Sequence, residues 1–298
     1  MYDTSQIIEA FRYPRRAVLE LNRIYHRKVR GKSGIKIMEE DWDSLIILDG
    51  CRYDIFEEIS SIEGELGSVI SSDSSTSGFL QHNFGDDHFP NTVYVSANPQ
   101  VQRHEVGRRF HDCIRLWETD WDDELNTVPP GSVTDAAIRA QEEYPKKRLI
   151  VHYIQPHYPF IGETGRKIDH GSITGDGVIN ESREFSSIWE QLESGVVEED
   201  VVWSAYQENL ELAIPEVERL LGELIGKSVV TSDHGNAFGE SGVYGHPGGK
   251  YIPELVEVPW LVVDGDERPE VEPGSARTAS REVEGQVADR LRDLGYAE

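Results

Sequence analysis

The stretch VVTSDHGNAFGESGVYGH, from Val229 to His246, places an apolar run directly before Ser-Asp-His-Gly and ends in Gly-His twelve residues after the first histidine. Val229, Val230 and Thr231 read as the end of a buried strand. Asp233 and His234 follow at once. Neighbours on a regular strand point to opposite faces, so both reach one point only if the backbone leaves strand geometry, which Gly235 permits. A carboxylate and a neutral imidazole at a strand's carboxyl end suit a divalent ion. A polar turn that caps the next helix is an equally good reading of these residues alone.

Working outward, LIIL at 45–48, TVYVSA at 92–97, RLIVHYI at 148–154, SVVTS at 228–232 and VPWLVV at 258–263 read as buried strands. Helical patterns cover 53–60, 132–143, 201–224 and 280–294, with Ser132 or Thr134 as N-cap of the second and Pro215 as a kink in the third. Alternating strands and helices predict an α/β fold with a mostly parallel sheet covered on both faces. The residues from about 162 to 200 read as an insertion, rich in Gly, Ser, Thr and acids, with a short helix near 184–193. One domain is expected over residues 1–298.

Composition narrows the function classes. The 298 residues carry 55 acidic and 29 basic side chains, a formal charge of −26. Binding nucleic acid through a broad basic surface is therefore not expected. Such acidity fits a solvated, self-repelling surface and a salt-rich (halophilic) cytoplasm that screens the repulsion. Two cysteines, Cys51 and Cys113, make no disulfide framework and no zinc-binding spacing. No signal-peptide pattern is visible, and no run approaches the roughly 20 apolar residues that span a bilayer; a soluble, cytoplasmic protein is expected. A basic helix at about 5–32, which includes FRYPRRAVLELNRIYHRKVRGK, breaks the acidic trend. Packing against the protein's own acidic body is the favoured reading of it. Peripheral contact with anionic lipid headgroups or an acidic partner is the alternative.

Asp49 directly follows LIIL, in LIILDGCRYD. A carboxylate there lies where open α/β sheets bind ligands. If strands 45–48 and 228–232 are neighbours, Asp49, Asp233 and His234 converge as two oxygens and one nitrogen.

These residues carry a resemblance. LDGCRYD resembles the D-x-x-R-x-D opening of the sulfatases within the alkaline phosphatase superfamily. HYIQPHYPF at 152–160 resembles the middle H-x-P-[FY] segment, and TSDHG, then GE, then GH, then VPWLVV the closing one. The three occur in order over about 45–263. The resemblance implies an alkaline-phosphatase-like three-layer sandwich and one divalent ion (Mn, Zn, Mg or Ca) on Asp49, Thr76, Asp233 and His234. It also implies a hydroxyl or modified-cysteine nucleophile between the first and middle segments, where SSDSSTSGF stands at 71–79. Thr76 is the first choice, just before a helical stretch whose N-terminus can stabilise an oxyanion; Ser74, Ser75 and Ser77 compete with it. Cys51 lacks the context of a modified cysteine and reads as a small packed residue.

Two-metal relatives carry a D-x-x-x-H pair, but the position four before His157 is Tyr153, so one ion is expected. His157 and His246 are expected to bind substrate oxygens or protonate the leaving group. His246 is also open to a looser second site. His152 reads as a satisfied core histidine, Arg52 as a partner of Asp54, and Glu240 as support for a ligand histidine or an exposed acid. The expected function is hydrolysis or transfer of a phosphate or sulfate ester, on a glycan, a lipid headgroup or a small metabolite, through a covalent intermediate. The competing readings are a non-catalytic metal-binding relative that serves as a binding module and, less favoured, a metal-dependent mutase.

Overall fold

The structure is a computed structural model that describes residues 34–85, 87–168, 187–265, 267–272, 274 and 284–296. The basic stretch at 5–32 and the centre of the 162–200 insertion lie outside the described residues.

The described residues form nine strands: β1 (Ser44–Leu48), β2 (Glu65–Ile70), β3 (Phe89–Ser96), β4 (Phe110–Arg115), β5 (Arg148–Tyr153), β6 (Ser228–Thr231), β7 (Ala237–Phe238), β8 (Tyr244–Gly245) and β9 (Glu257–Val263). Seven form one sheet in the order β2-β9-β6-β1-β5-β3-β4, and β7 and β8 form a separate small hairpin. β1 lies parallel between β5 and β6, while β9 runs antiparallel to both β6 and β2. The sheet is thus mostly parallel, as expected, with one reversed strand.

The central strands are apolar throughout because both sheet faces are covered. Alternate residues feed two cores. Ile46, Leu48, Val93, Val95, Val151 and Val230 face one side. There they meet α1 (Tyr53–Ile59), α3 (Pro130–Glu143) and α4 (Glu199–Leu221). Leu45, Ile47, Tyr94, Ile150 and Val229 face the other and meet Phe79, Leu80 and Phe84 of α2 (Thr76–Phe84). A last helix, α5 (Glu284–Asp293), precedes the C-terminal residues.

Several boundaries differ from expectation. α3 starts at Pro130, with Pro129 as N-cap and no side-chain cap; proline suits the first helical position because its missing N–H has no partner to lose. Thr134, expected as a cap, instead bonds the Tyr153 hydroxyl at 2.7 Å. α4 runs through Pro215 as one 23-residue helix. β2 and β4, at the two sheet edges, were not anticipated. β2 is almost wholly exposed and contains Gly67, and β4 is only half-buried and carries charge, so neither shows an apolar run.

Within the insertion, the expected short helix spans Ile188–Glu193. Its Trp189 packs edge-on against Phe238 and His246, with ring centroids 5.5 and 6.5 Å apart. No helix among the described residues is long and apolar enough to cross a membrane.

Candidate active site

Register builds the site. Ile47 pairs with Thr231 on one side and with His152 on the other. Asp49 and Asp233, each two residues further on, leave adjacent strands side by side, and His152 flanks them. Asp233 Oδ1 accepts from the Gly50 N–H at 3.0 Å and from the His234 N–H at 2.9 Å. These bonds fold the chain back on itself, so that two consecutive side chains share one pocket.

Two glycines permit the turns. Gly50 has φ +66°, a left-handed conformation that glycine adopts without strain. Gly235 is required by closeness: a Cβ there would lie 2.2 Å from the Glu254 carbonyl oxygen.

Asp49, Asp233, His234, Thr76 and His152 are fully buried. Neither Asp49 nor Asp233 has a lysine or arginine partner among the described residues. Asp49 Oδ1, Asp233 Oδ2 and His152 Nε2 have no hydrogen-bond partner. Ligand atoms of Asp49, His152 and Asp233 lie within 4.8 Å of one another. Two buried carboxylates with bare oxygens are costly unless a cation compensates them, and this donor set of oxygen and imidazole nitrogen fits a divalent ion.

His234 is oriented for the same task. Its Nδ1–H donates to the Gly235 carbonyl at 2.8 Å, which leaves the Nε2 lone pair facing inward. That Nε2 lies 3.6 Å from Asp49 Oδ1, 3.5 Å from Asp233 Oδ2 and 3.1 Å from Thr76 Oγ1.

The hydroxyls at 71–77 differ in their contacts. Thr76 is the first residue of α2 and points into the carboxylate–imidazole cluster. The other hydroxyls serve the loop. Ser71 Oγ donates to the Asp233 carbonyl, and Ser74 Oγ donates to the Pro247 carbonyl at 2.8 Å. Ser75 Oγ caps α2 by accepting from Gly78 N–H, and Ser77 Oγ accepts from Gln81. A cavity of about 300 Å³, lined by Ser72, Asp73, Ser75, Ser77, Gly78 and Gln81 among others, adjoins this turn.

His157 and His246 meet above the cluster, their Nε2 atoms 2.8 Å apart. His157 Nδ1–H donates to the Tyr158 carbonyl at 2.6 Å; in a neutral pair His246 therefore supplies the proton between the two Nε2 atoms. Burial lowers the pKa of both rings. For His246 the facing His234 and His157 lower it further, and for His157 the Asp49 carboxylate partly opposes the shift. Burial also raises the cost of ionising Asp49, but His157, His152 and His234 outweigh it and hold the carboxyl below its usual range.

Two readings are corrected. His152 is not a satisfied core histidine: its Nδ1 meets the Tyr94 hydroxyl at 2.9 Å, but its Nε2 is unpartnered and lies 3.7 Å from Asp49 Oδ2. Glu240 neither supports a ligand histidine nor stands alone; it accepts from Arg52 at 2.6 Å. Arg52 pairs with Asp54 as expected, at 2.6 Å, and is held between the two acids. Cys51 is fully buried, its thiol pKa pushed well up by burial and then by Asp54 and Asp233, so it is not a reactive thiolate.

Three contributors were not anticipated. Asn98 lies two residues beyond β3 and, with Ser96 and Ile47 both level with His152, in register with Asp49, so strand-end position was a usable signal. Asn236 lies one residue beyond Gly235 and donates to the Gly50 carbonyl at 3.1 Å. Tyr296 reaches the cluster from beyond α5, and no motif surrounds it.

No family model matches the sequence, and no curated protein matches it. Solved structures similar to it are found. The integral membrane protein lipooligosaccharide phosphoethanolamine transferase A from Neisseria meningitidis is 12% identical over 74% of this chain and 47% of its own, with a TM-score of 0.52. The lipoteichoic acid synthase LtaP from Listeria monocytogenes is 12% identical over 82% of this chain and 71% of its own, at 0.45. A 2-O GAG sulfatase is 12% identical over 77% of this chain and 66% of its own, at 0.45. The likeness to the first of these is one of fold, and the mostly parallel α/β sandwich expected from the motifs is the fold found here.

Proposed function

We propose that this chain is a metal-dependent enzyme that transfers or hydrolyses phosphate or sulfate esters, with Thr76 as nucleophile. One observation carries the reading: of the hydroxyls at 71–77, Thr76 is the one aimed at His234 Nε2, 3.1 Å away, beside two buried carboxylates with bare oxygens. The shared fold with a phosphoethanolamine transferase supports the reaction class at the level of fold only.

Asp49, Asp233, His234 and Thr76 would hold the ion, with His152 as a further donor. When bound, a divalent ion lowers the pKa of a hydroxyl and neutralises ester oxygens. Thr76 Oγ1 would then form a bond to phosphorus or sulfur as the bond to the leaving oxygen breaks, with the hydroxyl proton of Thr76 passing, directly or by way of solvent, to that oxygen. Water or an acceptor hydroxyl next attacks the same atom, and Thr76 is restored. His157 and His246 face the cluster, and an ester oxygen that enters between them would accept the His246 Nε2–H in place of His157. With Cys51 buried and inert, no modified cysteine serves here, and phosphoester chemistry is favoured over sulfate hydrolysis. The substrate is a phosphorylated glycan, a lipid headgroup ester or a small metabolite.

The test is turnover of aryl phosphate monoesters, phosphodiesters and aryl sulfates with Mn²⁺, Zn²⁺, Mg²⁺ or Ca²⁺, for the wild type beside Thr76→Ala. Metal-dependent turnover that the variant loses supports the proposal. Metal-bound protein that turns over none of these esters counts against it and favours a binding module.

A further inference from the structure

Asp49 is oriented by two residues outside the ligand set. Its Oδ2 accepts from the Tyr296 hydroxyl at 2.8 Å and from the Asn98 amide. Its Oδ1 is bare. One carboxylate oxygen is therefore saturated while the other is presented to His234. The Asn98 amide also donates to the Tyr296 oxygen at 3.1 Å, and Thr76 Oγ1 lies 3.3 Å from that same oxygen. A phenol has one proton and two acceptor positions. Here the proton goes to Asp49, and the acceptor side faces Asn98 and Thr76.

The phenol is placed by a built anchor. After α5, the Tyr296 N–H donates to the Leu291 carbonyl at 2.9 Å, and Leu291 and Leu294 are buried. Arg290 sits over the Trp121 ring, 4.4 Å from its centroid, and pairs with Asp123 at 3.1 Å. The Tyr296 ring stacks on His157 with centroids 5.0 Å apart and planes 17° apart.

We infer that Tyr296, together with Asn98, is a positioning residue for the metal centre: the two hold Asp49 with Oδ1 turned to the ion, and Tyr296 ties that carboxylate to Thr76. The segment that follows α5 therefore completes the site. This rests on reading Asp49 as a metal ligand. Hydrogen bonds that orient ligands in this way typically carry about 10–100-fold in metal affinity.

The experiment is calorimetric titration of chelator-stripped, full-length protein with Mn²⁺ and with Zn²⁺, wild type beside Tyr296→Phe, with ester turnover measured on the same samples. The phenylalanine keeps the ring and its stacking, so circular dichroism should be unchanged while metal affinity falls about 10–100-fold. Equal affinity in the two proteins overturns the inference. So does a variant that turns over ester faster than wild type at full metal occupancy, because the phenol would then be an obstruction. A wild type that binds metal tightly but turns over no ester removes the proposed reaction and leaves this inference standing, provided the affinity loss is seen. A wild type that binds neither ion removes both.

Discussion

Asp233→Asn separates the metal site from the fold. The asparagine Oδ1 can still accept from the Gly50 and His234 N–H groups that hold the turn, so the backbone should survive. What changes is charge. Ligand atoms of Asp49 and Asp233 lie within 4.8 Å of each other, and at an effective dielectric of about 20 two unit charges at that distance repel by about 3 kcal/mol. Hydrogen bonds to the two carboxylates offset part of this, so the variant should gain about 1–3 kcal/mol without metal, a rise in Tm of about 2–5 °C. With metal at about 1,000 times its Kd, the wild type should gain about 4 kcal/mol and the variant almost nothing. Thermal melts of both proteins, with EDTA and with Mn²⁺, give all four values. A variant that is less stable than wild type in EDTA, or that keeps the full metal-induced shift, would refute the reasoning.

Thr76→Ser should retain measurable turnover and Thr76→Ala should lose it by at least about 100-fold in kcat, with chain stability nearly unchanged; steady-state assays beside melts check both. His157 and His246 titrate below their ordinary value when folded, so the unfolded chain binds more protons below about pH 6.5. Stability of the metal-free protein should therefore fall as pH drops from about 7 to 5, and His246→Gln should flatten that slope in urea titrations across this range. Gly235→Ala would force a Cβ to within 2.2 Å of the Glu254 carbonyl oxygen; a loss of about 1–3 kcal/mol in urea unfolding is expected, with metal affinity reduced as His234 shifts. With a formal charge of −26, Tm should rise between 0.1 and 1 M KCl, and a flat salt profile would argue against surface repulsion.

Much of this was legible in the sequence because buried parallel strands are apolar on both faces. LIIL, RLIVHYI and SVVTS declared themselves, and the residues just beyond LIIL and SVVTS stand where open sheets bind ligands. Asp49 and Asp233 follow from that logic, and so would Asn98, had strand ends been searched for amides as well as acids. His152 was misjudged because a strand interior suggests packing, although one ring nitrogen bonds Tyr94 while the other faces the carboxylates. The edge strands β2 and β4 escaped because half-exposed edges need no apolar run. Thr76 differs from its neighbouring serines in a contact with His234, far along the chain, which local sequence does not reveal. Tyr296 had no local signal, because its placement depends on α5 docking through Arg290 and Leu294.

The measurement that tests the central claim most directly is mass spectrometry of the peptide that contains Thr76, after acid quench of metal-loaded enzyme mixed with an activated phosphate or sulfate ester. The account predicts a phosphoryl or sulfuryl group on Thr76, present at early times and lost as substrate is exhausted. Turnover with no group on Thr76, or with the group on a neighbouring serine, would contradict it.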